Sequence, residues 1–138
     1  MSDEHRLRRR SDAAEWITFA ERDYRAARLL LSAVPPLLEA AAFHCQQAAE
    51  KLLKAFLVLE GKPTPKLHDL GQLSTRLDRY GPILADMEEA LESLSPWAVT
   101  GRYPDLEEAQ PTEAEIRNAF DLLDTLMDRV RQAATDLP

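Results

Sequence analysis

A broad apolar arc between two chain-breaking segments is the feature that most constrains how this chain folds. From residue 37 to residue 60, apolar residues recur every three or four positions, which is the spacing of one helical face. The stripe comprises Leu38, Ala41, Cys45, Ala48, Leu52, Phe56 and Leu59, and it is widened by Ala42, Ala49 and Leu53. Pro35 and Pro36 precede the segment and "GKPTP" (61–65) ends it, with Gly61 suited to a left-handed C-cap. So wide an arc predicts a helix that contacts several neighbours.

The same period, together with caps and prolines, predicts four more helices. One begins near Asp12, one spans about 69–80, one spans about 83–94, and one begins after Thr112. Thr112 and Glu115 form the capping-box pattern that starts a helix. Residues 95–111 contain three prolines and one glycine and are expected to form an ordered loop. No strand pattern occurs, so the expected fold class is all-α, an antiparallel up-and-down helical bundle of three long and two shorter helices.

Length and charge bound the domain organisation and the classes of function. The 138 residues suit one domain, which we place at 12–138, after a flexible charged N-terminal tail at 1–11 that holds four arginines. That tail could also contact RNA or an acidic partner. The net charge of −7 argues against broad electrostatic binding of nucleic acid.

The single cysteine and the hydropathy pattern bear on location. Cys45 alone builds neither a disulfide nor a Cys-based zinc site, so a reducing cytoplasm is the expected compartment. No apolar run reaches the roughly 18 residues that span a bilayer, and the charged N-terminus lacks the apolar region of a signal peptide. We therefore expect no membrane association.

Polar residues on the predicted second helix are the first candidate site. His44, Gln47, Lys51 and Lys54 share one helical face beside the apolar stripe. One interpretation is a site for a phosphate or for the carboxylate of a partner. The alternative is that Lys51 or Gln47 reaches Asp23, which falls inside the apolar face of the first helix and needs a partner there.

Two further segments are candidates for ligand binding. His68 either caps the following helix together with Asp69 or acts as an acid–base or ligand-binding group, since its ordinary pKa is near neutral. In "GRYPD" (101–105), Arg102 offers a planar fork for phosphate or carboxylate, and Tyr103 can stack and donate a hydrogen bond. Alternatively, Arg102 only pins the loop to a helix C-terminus. Gly-rich phosphate loops, HExxH, GxSxG and di-iron carboxylate motifs do not occur, so no metal and no cofactor are predicted.

Three segments together resemble the HEPN (higher eukaryotes and prokaryotes nucleotide-binding) domain family. They are "AERDYRAARLLL" (20–31), "AFHCQQAAEKLLKAFLVLEGKPTPKLHDLGQL" (42–73) and "GRYPD" (101–105). The resemblance implies an all-α bundle that pairs as a homodimer and, in bacteria, is often encoded beside a minimal nucleotidyltransferase. The width of the apolar arc on the second helix independently favours a two-fold dimer.

The resemblance also implies a test for ribonuclease activity. Many HEPN proteins are metal-independent ribonucleases that use an arginine followed, after four to six residues, by a histidine. His5, His44 and His68 all lack an arginine at that distance. The leading hypothesis is therefore a dimeric binding subunit that partners a minimal nucleotidyltransferase and binds a nucleotide. The alternatives are a ribonuclease toxin of a toxin–antitoxin pair, with His68 and Arg102 as weak catalytic candidates, and a purely structural subunit.

Overall fold

The computed structural model describes residues 1–99 and 110–138, and these residues form helices without strands. The α-helices are α1 (Asp3–Leu31), α2 (Leu38–Leu59), α3 (Leu70–Thr75), α4 (Glu88–Leu94) and α5 (Glu113–Thr135). Two 3-10 helices, Pro82–Met87 and Ser95–Ala98, flank α4. Helix α1 is antiparallel to α2, as the pairs Trp16–Lys54 and Asp23–Lys51 show. It is also antiparallel to α5, as the pairs Arg10–Ala134 and Tyr24–Phe120 show. The predicted all-α fold class is confirmed.

Helix α2 is the centre of the bundle. Fourteen of its residues are buried, and Ala40 is the only one that is exposed. Five alanines, Ala13, Ala20 and Ala27 on α1 and Ala41 and Ala48 on α2, are at most 1% exposed, and their small side chains let the two helices pack closely. The apolar arc is thus covered inside one chain. Its width no longer argues for a second copy, and this part of the reasoning for a dimer was wrong.

The first helix begins nine residues before the predicted start at Asp12. The Ser2 hydroxyl caps it by accepting a hydrogen bond from the His5 backbone N–H (3.2 Å). Arg10, which we assigned to a tail, donates to the backbone carbonyls of Ala134 (3.1 Å) and Leu137 (2.9 Å) at the end of the bundle. Those carbonyls lack helical partners, so a guanidinium there also complements the negative end of α5. The predicted helix start was wrong: Ser2 followed by Asp3 and Glu4 is a local start signal that the prediction missed, and the contact of Arg10 is tertiary and leaves no local pattern.

Replacing Arg10 with glutamine should lower the free energy of unfolding by about 1 kcal/mol, the usual net contribution of a few solvent-accessible hydrogen bonds. Urea denaturation followed by circular dichroism measures the change. Arg8, an exposed neighbour on α1, provides the matched control, and Arg8→Gln should leave the midpoint unchanged. Equal midpoints for the two variants would mean that the hydrogen bonds of Arg10 to the chain after α5 do not stabilise the bundle.

The ends of the other helices show which local sequence signals are sufficient to predict where a helix begins or ends. The Thr112–Glu115 capping box is present at the start of α5, and Gly61 has φ +74°, the left-handed conformation expected after α2. By contrast, α3 ends at Thr75 instead of near residue 80. The Glu60 carboxylate accepts the backbone N–H groups of Asp78 (3.0 Å) and Tyr80 (2.9 Å), which holds that segment in a non-helical path.

Candidate functional site

A first ionic cluster joins α1 to α2. Asp23 is buried on α1, and the antiparallel pairing of the helices places it opposite His44 and Lys51 on α2. Its Oδ1 lies 2.9 Å from His44 Nδ1, and its Oδ2 accepts a hydrogen bond from Lys51 Nζ. The expected contact between Lys51 and Asp23 is thus confirmed, and His44 joins it. A buried carboxylate gains the partners it needs, and both of the α2 side chains are used to satisfy it.

A second cluster surrounds Glu50, a residue that we did not predict as part of a site. The Glu50 carboxylate accepts a hydrogen bond from Lys54 Nζ (3.0 Å) and lies 2.8 Å from His68 Nδ1. Gln46 donates to the backbone carbonyl of His68 (2.9 Å), and Gln47 donates to Gln46 Oε1 (2.7 Å). Glu50 and Lys54 are both almost fully buried. This network fixes the segment before α3 to the middle of α2.

The structure therefore separates the four residues of the predicted α2 face into two groups. His44 and Lys51 belong to the Asp23 cluster, whereas Gln47 and Lys54 belong to the Glu50 cluster. Lys54 is additionally covered by the Trp16 ring, with Nζ 5.6 Å from its centroid. Both lysines of the face already bond a carboxylate, so the face offers little positive charge to a phosphate.

His68 does not cap α3. Asp69 is the N-cap and accepts the Gln72 backbone N–H (2.9 Å). The His68 ring is 69% exposed and stands beside an open cavity of about 560 Å³ whose lining includes Asp69, Glu92 and Ser95. Its Nδ1 is held by Glu50, which leaves Nε2 for proton exchange. The pairing resembles a carboxylate-oriented acid–base histidine, although the nearby carboxylates repel anionic substrates.

The other predicted site residues, Arg102 and Tyr103, lie outside the described residues. Within 1–99 and 110–138, no group of three or more His, Cys, Asp or Glu side chains is placed to hold a metal ion. The helices formed by the same residues are too short or too polar to cross a membrane.

These features define a small helical-bundle protein with a central helix joined to its neighbours by two buried ionic clusters. The chain belongs to the HEPN domain family, whose family model matches residues 13–133. No curated protein matches it.

Two solved structures are similar over almost their whole length. TT1696 from Thermus thermophilus is 28% identical, with a TM-score of 0.75. The archaeal HEPN homologue ST0689 is also 28% identical, with a TM-score of 0.68. Each match covers 88% of this chain and 97% of the other.

Proposed function

We propose that this HEPN protein is a binding subunit that forms a homodimer, assembles with a minimal nucleotidyltransferase and binds a nucleotide. One observation carries the proposal: both lysines of the predicted α2 face bond a carboxylate of their own chain, Lys51 that of Asp23 and Lys54 that of Glu50. A lysine bonded in this way cannot also neutralise a reacting phosphate without leaving a buried carboxylate unpaired. A role in assembly is more consistent with this arrangement than RNA cleavage.

An apolar end of the bundle supports the assembly role. Leu29, Val34 and Leu37 lie at or near the turn between α1 and α2, and Val34 is 98% exposed. Large exposed apolar side chains close together in a soluble domain usually mark contacts with another protein. We assign the surface around Val34 and Leu37 to the contact with a second copy or with the nucleotidyltransferase.

Size-exclusion chromatography with light scattering tests the proposal directly. We expect twice the chain mass of 15.6 kDa for the protein alone, and a larger complex when a minimal nucleotidyltransferase from the same organism is added. The double variant Val34→Asp/Leu37→Asp should weaken either the homodimer or the complex with the nucleotidyltransferase, because charge is costly in an apolar contact. Leu7→Asp, at another exposed apolar site near the start of α1, is the control. A protein that elutes as a monomer and does not bind the nucleotidyltransferase would overturn the assembly role.

A ribonuclease remains the second candidate because Glu50 orients His68 and leaves Nε2 accessible. Purified protein should leave RNA intact if the binding role is correct. Cleavage that His68→Ala abolishes and His44→Ala preserves would establish the ribonuclease instead. His68→Ala is suitable for this test because the exposed ring contributes little to the core.

A further inference from the structure

A groove between α1 and α5 concentrates positive charge in an otherwise acidic protein. The groove has a volume of about 500 Å³, and its described lining includes Tyr24, Arg25, Arg28, Leu29, Arg117 and Phe120. We call it the arginine groove. Three arginines and no carboxylate occur among the described lining residues, although the chain carries a net charge of −7. A cationic groove of this kind attracts an anion.

The three guanidinium groups differ in how strongly they are held. Arg25 is exposed and makes no hydrogen bond or ion pair within the described part of the chain. Arg117 bonds Glu113 (2.8 Å), but both side chains are at least half exposed, and pairs of this kind contribute little. Arg28 donates to the Tyr24 hydroxyl (2.7 Å), which orients it and leaves its other N–H groups for a ligand. The groove therefore holds donors that a phosphate can recruit.

The wall beside the arginines is apolar and aromatic. Tyr24 and Phe120 meet edge to face with centroids 5.5 Å apart, and Arg28 lies 5.4 Å from each ring centroid. Burial, followed by a hydrogen bond with Asp124, raises the pKa of Tyr24, so its hydroxyl stays neutral near pH 7. Asp124 is not among the described lining residues. A ligand here meets positive charge on one side and apolar surface on the other.

We propose that the arginine groove binds a nucleoside polyphosphate, with Arg25, Arg28 and Arg117 at the phosphates and the nucleoside against Leu29 and the aromatic wall. Guanidinium forks suit phosphate oxygens, and the volume is within the usual range of small-molecule sites. The inference rests on the nucleotide-binding part of the proposed function. It places that ligand between α1 and α5, away from the predicted face on α2.

Isothermal titration calorimetry with ATP tests the site. The double variant Arg25→Gln/Arg117→Gln should bind ATP at least about tenfold more weakly, because charge-assisted hydrogen bonds to phosphate are lost. Arg8→Gln/Arg22→Gln changes the net charge equally on the exposed surface of α1 outside the groove and should bind like the unaltered protein. Thermal unfolding of both variants checks that each is folded before titration.

Pyrophosphate and adenosine are the two partial probes. Each should bind more weakly than ATP, since ATP uses both the arginines and the apolar wall. Pyrophosphate that binds as tightly as ATP would overturn the nucleoside assignment. ATP binding that is equal in both double variants would overturn the groove while leaving nucleotide binding intact. No ATP binding at about millimolar concentration would overturn both the groove as a binding site and nucleotide binding itself. The assembly role would then be tested by chromatography alone.

Discussion

Replacing Glu50 with alanine should lower the free energy of unfolding by about 3–5 kcal/mol, a large share of the stability of a small domain. The substitution leaves Lys54 buried on α2 without its carboxylate, and it also removes the partner of His68 Nδ1. An uncompensated buried charge is among the few causes of so large a loss. Urea denaturation at neutral pH, followed by circular dichroism, measures the effect.

Two further variants distinguish the effect of an unpaired buried charge on stability from the effect of lost packing. Glu50→Leu with Lys54→Met removes both charges and should recover most of the stability, because apolar residues replace buried ion pairs at little cost. Glu89→Ala on the exposed surface of α4 should have almost no effect. A Glu50→Ala protein as stable as the Glu89→Ala protein would contradict the burial of the cluster.

Cys45 should react with iodoacetamide at pH 8 at least about three orders of magnitude more slowly in the native protein than in urea. The side chain is fully buried on α2, and burial raises the pKa of the thiol from 9.0 to about 12. The reactive thiolate is therefore depleted about a thousandfold before restricted access is considered. The mass shift of the intact chain over time gives both rates.

The chain has one cysteine, so the label reports this position alone. Complete labelling in urea is the control for reagent activity. Native labelling that matches the urea rate would show that α2 is not the centre of the bundle. Slow labelling that accelerates in the Glu50→Ala variant would connect the two predictions, because local opening exposes the thiol.

The sequence was sufficient to predict the bounds of a helix where the signal for them is local. The 3–4 period, the prolines and Gly61 predicted α2, and the Thr112–Glu115 pair predicted the start of α5. It failed where a distant group decides the outcome. Arg10 contacts the chain at the end of α5 and beyond it, and Glu60 stops α3 from another element.

The site was predicted only in part for the same reason. The sequence prediction placed residues together because they point in the same direction from the axis of α2. In the structure, these residues divide according to the carboxylate near which each one lies. Gln46, Glu50 and Lys54 are spaced by four residues, and this spacing could have revealed the second cluster. The pairing of His68 with Glu50 depends on how residues 60–69 return to α2, which no local pattern specifies.

The close packing of α1 on α2 has a consequence for how the molecule acquires its shape. Residues 32–37 alone connect these two helices, whereas residues 60–112 separate α2 from α5. The entropy lost on closing a loop increases with its length, so pairing α1 with α2 costs less chain freedom than pairing α2 with α5. We therefore expect the alanine contacts and the Asp23 cluster between α1 and α2 to form before α5 packs against them and completes the core.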